Sequence, residues 1–435
     1  RIILNESPEK FGEYMKKLLF LLAFSATLFT SCLKDTCDEV NVYTMYEPVY
    51  KNLDEIRSVS ADAPQELINP GQIYIYKNYL FINEFRKGIH IFDNSNPSKP
   101  INLAFYSIPG NAQLSIKDDL LYVNNFLDLL TINIADPLNI KVVDVEEFIF
   151  MDSYRDNFGM YDTAQAKLIV DYVPTKITEK VECGQNYYSY YYKNGAEIFI
   201  DVASSGVLND AFGAPSNVGI GGSTAKFTIV GNALYTLKYS DLLTFDISAG
   251  LPVYSNTLKM KVNPETLFPF HENLLVGGAN GMTIVNIDNP LAPVEKGSIQ
   301  HIKSCDPVVA SGNTAYVTLW NGSECGNGRN ELQVIDISQL DNPVLLNAIP
   351  MNSPRGLSIS DGRLIVCEES FGAKLFDVSD RTKAPLEIKS YPDIISQDVI
   401  WVGSNLIFIG SKGIIQYRME GNELKLLSVI AVKQG

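Results

Sequence analysis

A repeat of roughly 40 residues, four short strand patterns in each copy and a third strand closing on Asp or Asn predict an all-β protein. The architecture these features give is a β-propeller of about eight four-stranded blades, or seven, preceded by a lipoprotein signal peptide. The closing strand is clearest at Ile89–Asp93, Leu130–Asn133, Leu243–Asp246, Met282–Asn286, Leu332–Asp336 and Lys374–Asp377. An earlier strand, entered by a polar turn, is anchored at Leu80, Leu121, Leu234, Leu274, Ala315, Leu364 and Leu406. These anchors recur every 40 to 49 residues, save for a step of 113 residues between Leu121 and Leu234. A worn copy inside that gap, Lys167–Val170 with Ile198–Asp201, raises the units from seven to eight.

Taken from the N-terminus, residues 1–14 read as a non-native extension, because Arg1 is not Met and Met15 opens a signal. Residues 15–31 are that signal: Met15-Lys16-Lys17 is its positive start, and Leu18 to Phe29 is an apolar run too short to anchor stably across a bilayer. Thr30-Ser31 then leads to Cys32, the expected lipid-bearing first residue of the mature chain. Residues 32–70 read as an anchor and linker. The charged run Lys34 to Glu39 fits either a surface-export signal or a solvated linker, and Val42, Tyr43 and Tyr46 fit either an added strand or a tether.

Residues 71–435 are the predicted propeller. Its sixth unit shows the strand count: Pro307–Ala310, Ala315–Trp320, Leu332–Asp336 and Val344–Ile349, each bounded by Gly, Asn, Ser or Pro. The Asp or Asn closing the third strand suits a turn, since its short side chain can accept from the backbone two residues on. Pro97, Pro137, Pro290 and Pro343 start the following stretch, where no ladder donor is needed. A helical solenoid would need apolar spacing of 3.6, which these strands lack.

The segment Val334-Ile335-Asp336-Ile337-Ser338, with Asn342-Pro343 after it, resembles the LVIVD-repeat proteins of bacteria; Phe245-Asp246-Ile247-Ser248 and Val285-Asn286-Ile287-Asp288-Asn289-Pro290 are near variants. The resemblance spans about residues 71 to 433. It implies a propeller but no activity, because that family is defined by its repeat. The third unit and the last one, Ile414 to Arg418, depart from the pattern, which leaves the count at seven or eight.

A formal net charge of -15, from 50 acidic and 35 basic residues, disfavours nucleic acid and anionic lipid as partners. Nothing after residue 32 is long and apolar enough to cross a membrane as a helix, so contact with the membrane is expected through the lipid alone. Of six cysteines, Cys305 and Cys325 fall in one blade and are expected to pair in an oxidising compartment. Cys37 and Cys183 have no assigned partner, and Cys367, in a strand, reads as a buried thiol.

Catalytic signatures are missing: the chain has no GxSxG elbow, no HExxH and no Gly-Lys-Ser/Thr phosphate loop. Its three histidines, His90, His271 and His301, lack metal-ligand spacing, and neither a metal nor a cofactor is called for. Eight or nine positions before the anchors lie Gln72, Gln113, Lys226, Glu265, Asp306, Arg355 and Asp398, all polar, at the expected mouth of the central channel. This ring reads either as a polar ligand site or as a rim that satisfies itself. A second surface is the third unit's insertion with Tyr187, Tyr188, Tyr190, Tyr191 and Tyr192, apt for sugar stacking or protein contact, or else a two-sided hairpin.

The expected function is therefore a monomeric, lipid-anchored propeller of the cell envelope, at the outer membrane or displayed on the surface, that binds or scaffolds an envelope protein or glycan. The rival is a glycan-active hydrolase or lyase with Glu265, Asp306 and Asp398 as acid and base. An enzyme is the less favoured of the two.

Overall fold

The computed structural model describes residues 39–151, 167–181, 223 and 225–433, apart from 262–263, 279, 301–306, 322–328 and 382. Two compact units emerge, one of residues 49–171 with 199–435, the other of 1–48 with 172–198. The larger unit is the propeller. Its blades span 70–107, 114–146, 227–259, 264–300, 308–350, 357–391 and 398–430, called blades 1 to 7. Each is an antiparallel meander of four strands in sequence order, and blade 1 gains a fifth, Ser60–Asp62, on its outer edge. The unit used above to count strands appears as Val308–Ser311, Thr314–Leu319, Glu331–Asp336 and Val344–Pro350, close to expectation.

The eighth sheet among the described residues is a two-stranded pairing of Glu39–Asn52 with Lys167–Val181. Among the described residues seven four-stranded blades stand, one of the two counts left open, and blades 1 and 7 pack on each other. Lys167–Val170, expected to open a worn blade, lies instead in this long strand, while Ile198–Asp201 lies outside the described residues. Leu168 and Val170 pack with Ile56, Phe126 and Leu127, a small cluster apart from the blade seams. Residues 53–69, expected as linker, are also ordered. They form a one-turn helix, Leu53–Ile56, whose Asn52 and Glu55 make a reciprocal capping box, and then the fifth strand of blade 1.

First strands of successive blades lie side by side and surround the axis. The core is built in the seams, where Ile, Val, Leu, Phe and Tyr of one blade meet those of the next. Ring closure is of the same kind: Ile73, Leu80 and Ile82 of blade 1 pack with Ile400, Ile407 and Ile409 of blade 7. The segments just before blade 1 and just after blade 7 reinforce it, through a parallel bridge between Leu67 and Val432 and a bond from Lys433 N to Leu67 O of 2.8 Å.

The repeat signature has a physical explanation on each copy. The Asp or Asn closing the third strand accepts the backbone N–H two residues on in six blades: Asp93 from Ser95, Asn133 from Ala135, Asp246 from Ser248, Asn286 from Asp288, Asp336 from Ser338 and Asp377 from Ser379. Three of these turns present a carbonyl to a tyrosine of the preceding blade: Tyr106 donates to Pro137 O at 2.9 Å, Tyr122 to Gly250 O at 2.6 Å and Tyr235 to Pro290 O at 2.7 Å. Blade 7, without the side-chain turn, still receives Tyr391 at Asn422 O, 2.8 Å away. The motif is thus a latch between blades. At the other hairpin, joining first and second strands, all seven blades place a residue in the left-handed region: Lys77, Asp118, Gly231, His271, Gly312, Asp361 and Gly403, with φ from 48° to 59°. His271 is accordingly a turn residue. A register shift between third and fourth strands also recurs in every blade, as a bulge that twists the outer edge.

Candidate functional site at the blade 5 to blade 7 sector

Strand alternation puts the starts of the first strands and the turns joining second to third strands on one face. The residues singled out for the channel mouth belong to it, and the structure treats them unequally. Gln72, on the first strand of blade 1, is buried; its Oε1 accepts from Leu114 N of blade 2 at 3.3 Å, while its Nε2 has no partner. Gln113 repeats the gesture, its Oε1 accepting from Lys226 N of blade 3 at 2.8 Å. Over blades 1 to 3 the rim therefore stitches neighbouring blades together. Lys226 is exposed, and Glu265 on the first strand of blade 4 is half-buried and has partners of its own. Asp306 lies outside the described residues, as do Cys32, Cys37, Cys183, Cys305, Cys325 and Tyr187 to Tyr192.

Arg355 and Asp398 differ from the rest. The Arg355 guanidinium lies over the Trp320 ring, its Cζ 3.1 Å from the centroid, and its Nη2 is 2.9 Å from Glu369 Oε1. Its Nε has no partner. Burial lowers the Arg355 pKa and the Glu369 carboxylate opposes the shift, so the guanidinium is held between a π face and a negative charge. Glu369 also accepts from Ser353 Oγ at 3.1 Å and lies 3.5 Å from Gln397 Nε2. It sits at φ 53°, in a turn that puts Phe371 at the surface, 52 % exposed. The preceding residue, Glu368, is wholly buried, accepts from Asn352 N at 2.6 Å and faces Lys374 Nζ at 3.2 Å.

Asp398, the first residue of blade 7, has no exposed surface, and neither carboxylate oxygen meets a donor in bonding geometry. Burial raises its pKa well above the usual carboxylate range, with the adjacent Val399 N–H opposing. It rests against Gly356, where an added Cβ would stand 1.9 Å from Oδ1. The neighbouring Cys367 is a buried thiol, as its strand position suggested, and burial followed by the Asp398 charge pushes its pKa up. So placed, Asp398 is enclosed within the blade 6 to blade 7 seam.

Two further arginine–aromatic pairs stand near blades 1 and 2. Arg57 lies 5.3 Å from the Phe148 ring and forms a two-pronged pair with Asp128, at 2.8 and 3.1 Å; Arg86 lies 5.2 Å from the Phe85 ring. Sequence reasoning found Arg355 but missed Trp320, Glu369 and Phe371, which stand on turns of unequal length. The signal that could have found them was rarity, since Trp320 is one of only two tryptophans in the chain.

Several solved structures are similar to this chain. A functionally unknown protein from Desulfotomaculum acetoxidans is 12 % identical, with 84 % of this chain and 97 % of that chain covered and a TM-score of 0.49. A protein from Lactobacillus plantarum is 13 % identical over 76 % of this chain and 86 % of its own, with a TM-score of 0.47. Hsv2 of Kluyveromyces lactis is 10 % identical over 72 % and 75 %, with a TM-score of 0.40. No curated protein matches the sequence. The LVIVD repeat family matches residues 70–107, 274–301 and 303–349, which fall on blade 1, on the last three strands of blade 4 and on blade 5. This chain is an all-β propeller, three segments of which match the LVIVD repeat.

Proposed function

We propose that the protein is a binding or scaffolding module of the bacterial cell envelope, tethered by a lipid on Cys32, and that it engages an envelope protein through the face carrying Arg355. The observation that carries this reading is the Trp320–Arg355–Glu369 stack. Arginine and large aromatic rings dominate the energetics of protein interfaces because they offer broad contact area with little entropy to lose. Here a guanidinium is held in place in advance, with an exposed Phe371 on the turn that supplies its carboxylate. The glycan-enzyme reading is weaker, because Asp398, one of its three proposed acids, is wholly enclosed.

The test is crosslinking of the membrane-anchored protein in native envelopes, followed by mass spectrometry, on the unaltered chain and on Arg355→Ala and Trp320→Ala. A stoichiometric protein partner, lost with either variant, is the expected result. Capture of no partner under conditions that retain a known envelope complex overturns the reading, and so does a partner held equally by both variants.

A further inference from the structure

The seam between blades 6 and 7 joins the Arg355 corner to the enclosed Asp398. Two backbone hydrogen bonds cross it: Gly356 N donates to Gln397 O at 2.9 Å, and Glu369 N donates to Ser396 O at 3.0 Å. Their acceptors are the two residues immediately before Asp398, and their donors are the neighbour of Arg355 and its ion partner. Gly356 also supplies the surface on which the Asp398 carboxyl rests, and Arg355 N donates to Cys367 O at 2.8 Å, beside the same carboxyl.

The charges around this carboxyl are committed elsewhere. On blade 6, Arg355 is engaged by Glu369 and Trp320, Lys374 by Glu368 and Glu387, and the titratable group facing Asp398 is the neutral Cys367 thiol. On blade 1, which packs on the other side of blade 7, Glu84 and His90 face each other at 3.1 Å. Among the described residues an ionised Asp398 would therefore meet no cation in the closed seam, and the Val399 N–H, out of bonding geometry, opposes its burial. A buried charge so placed is expelled toward water.

We propose that the blade 6 to blade 7 seam is a proton-sensitive hinge, closed while the Asp398 carboxyl is neutral and opened when it ionises, which unseats Arg355 and Glu369 from their binding geometry. This rests on the reading of the Arg355 corner as a binding site, but the hinge itself can be observed without any partner. The sign follows from linkage: the closed state holds the proton more tightly, so closure is strongest at low pH and is lost as pH rises through the raised pKa.

The experiment is hydrogen exchange at the Gly356 and Glu369 amides of the full chain, compared with Asp398→Asn at each pH from about 5 to 9. Ratioing to the variant removes the base catalysis common to both. One linked proton makes the ratio of unaltered chain to variant rise about tenfold per pH unit between the ordinary carboxylate range and the raised pKa of the closed state, and level off above it. A ratio independent of pH overturns the hinge. Asp398→Leu serves as a second variant should Asn disturb folding, and it too must abolish the rise. Trp320 fluorescence in a Trp401→Phe background follows the corner directly: a pH-dependent change absent from Asp398→Asn supports the coupling, and one that persists in it overturns the coupling. Loss of the partner assay alone, with the exchange result intact, refutes the binding reading and leaves the hinge standing.

Discussion

Replacing Glu84 with Gln is expected to loosen the closure of the ring. The Glu84 side chain is enclosed, 2 % exposed for the residue, and both oxygens are used: Oε1 accepts from Asn69 N at 2.6 Å, and Oε2 accepts from Ile68 N at 3.0 Å and lies 3.1 Å from His90 Nε2. The Ile68 and Asn69 amides belong to the strap whose preceding residue, Leu67, bridges to Val432 and accepts from Lys433 N. A Gln keeps one oxygen and turns an NH2 group toward an amide or imidazole N–H, so one or two charge-assisted bonds are lost and two donors are set face to face. At about 1.5–3 kcal/mol for each bond to a charged group, the cost is about 3 kcal/mol. Urea unfolding should show it as a lower midpoint at unchanged slope. Hydrogen exchange should be accelerated at the Lys433 amide, whose bond to Leu67 O is broken whenever the strap opens. Burial alone would raise the Glu84 pKa, but His90 and the two amides outweigh it and hold the carboxyl below its ordinary value. The contribution is therefore present above the unfolded carboxyl pKa and lost as pH falls through the depressed one, so the stability difference between the unaltered chain and Glu84→Gln must shrink on acidification. A loss below about 1 kcal/mol at neutral pH would refute the reasoning, as would a Lys433 amide exchanging as before.

Two simpler changes test the repeat. Tyr235→Phe removes the hydroxyl that donates to Pro290 O at 2.7 Å between blades 3 and 4 and should cost about 1 kcal/mol in equilibrium unfolding; no change would mean the latch is only packing. Gly403, at φ 57° with nothing within 4 Å of an added Cβ, isolates the backbone cost of the hairpin turn. Gly403→Ala should destabilise by about 1 kcal/mol and Gly403→Asn by clearly less, because Asn tolerates the left-handed region. Equal losses would place the cost in something other than the backbone angle.

The fold was legible because its information is periodic and local. Asp246, Asp336 and Asp377 each make the same side-chain turn, Tyr122 and Tyr235 each grip the carbonyl of the next such turn, and seven hairpins share one left-handed residue, so each copy restates the pattern. The blade count was less legible because Lys167–Val170 reads as a strand wherever it pairs, and alternation does not specify the partner. Its actual partner, Glu39–Asn52, lies more than a hundred residues away in sequence. The polar ring was legible as positions but not as roles. Equivalent registers yielded the interblade stitches of Gln72 and Gln113, the stacked cation of Arg355 and the enclosed acid of Asp398.

That inequality is informative in itself. A repeat protein needs its blades alike wherever they latch, and these blades are alike at the turns where Pro137, Gly250 and Pro290 receive a tyrosine. On the opposite face nothing in the packing requires uniformity, and there the turns differ in length and carry Phe85, Phe126, Trp320 or Phe371. The orphaned oxygens of Asp398 work against stability, since a buried polar group without a partner costs about 1–3 kcal/mol. An apolar residue at that register would remove the cost without altering the repeat. An acid kept at the seam that also holds the stacked guanidinium of Arg355 is therefore better explained by what it does to Arg355 than by what it does for the fold. Asp398→Leu separates the two: a gain in unfolding free energy together with loss of pH-dependent seam exchange is expected, whereas a loss of stability would return Asp398 to the structural residues.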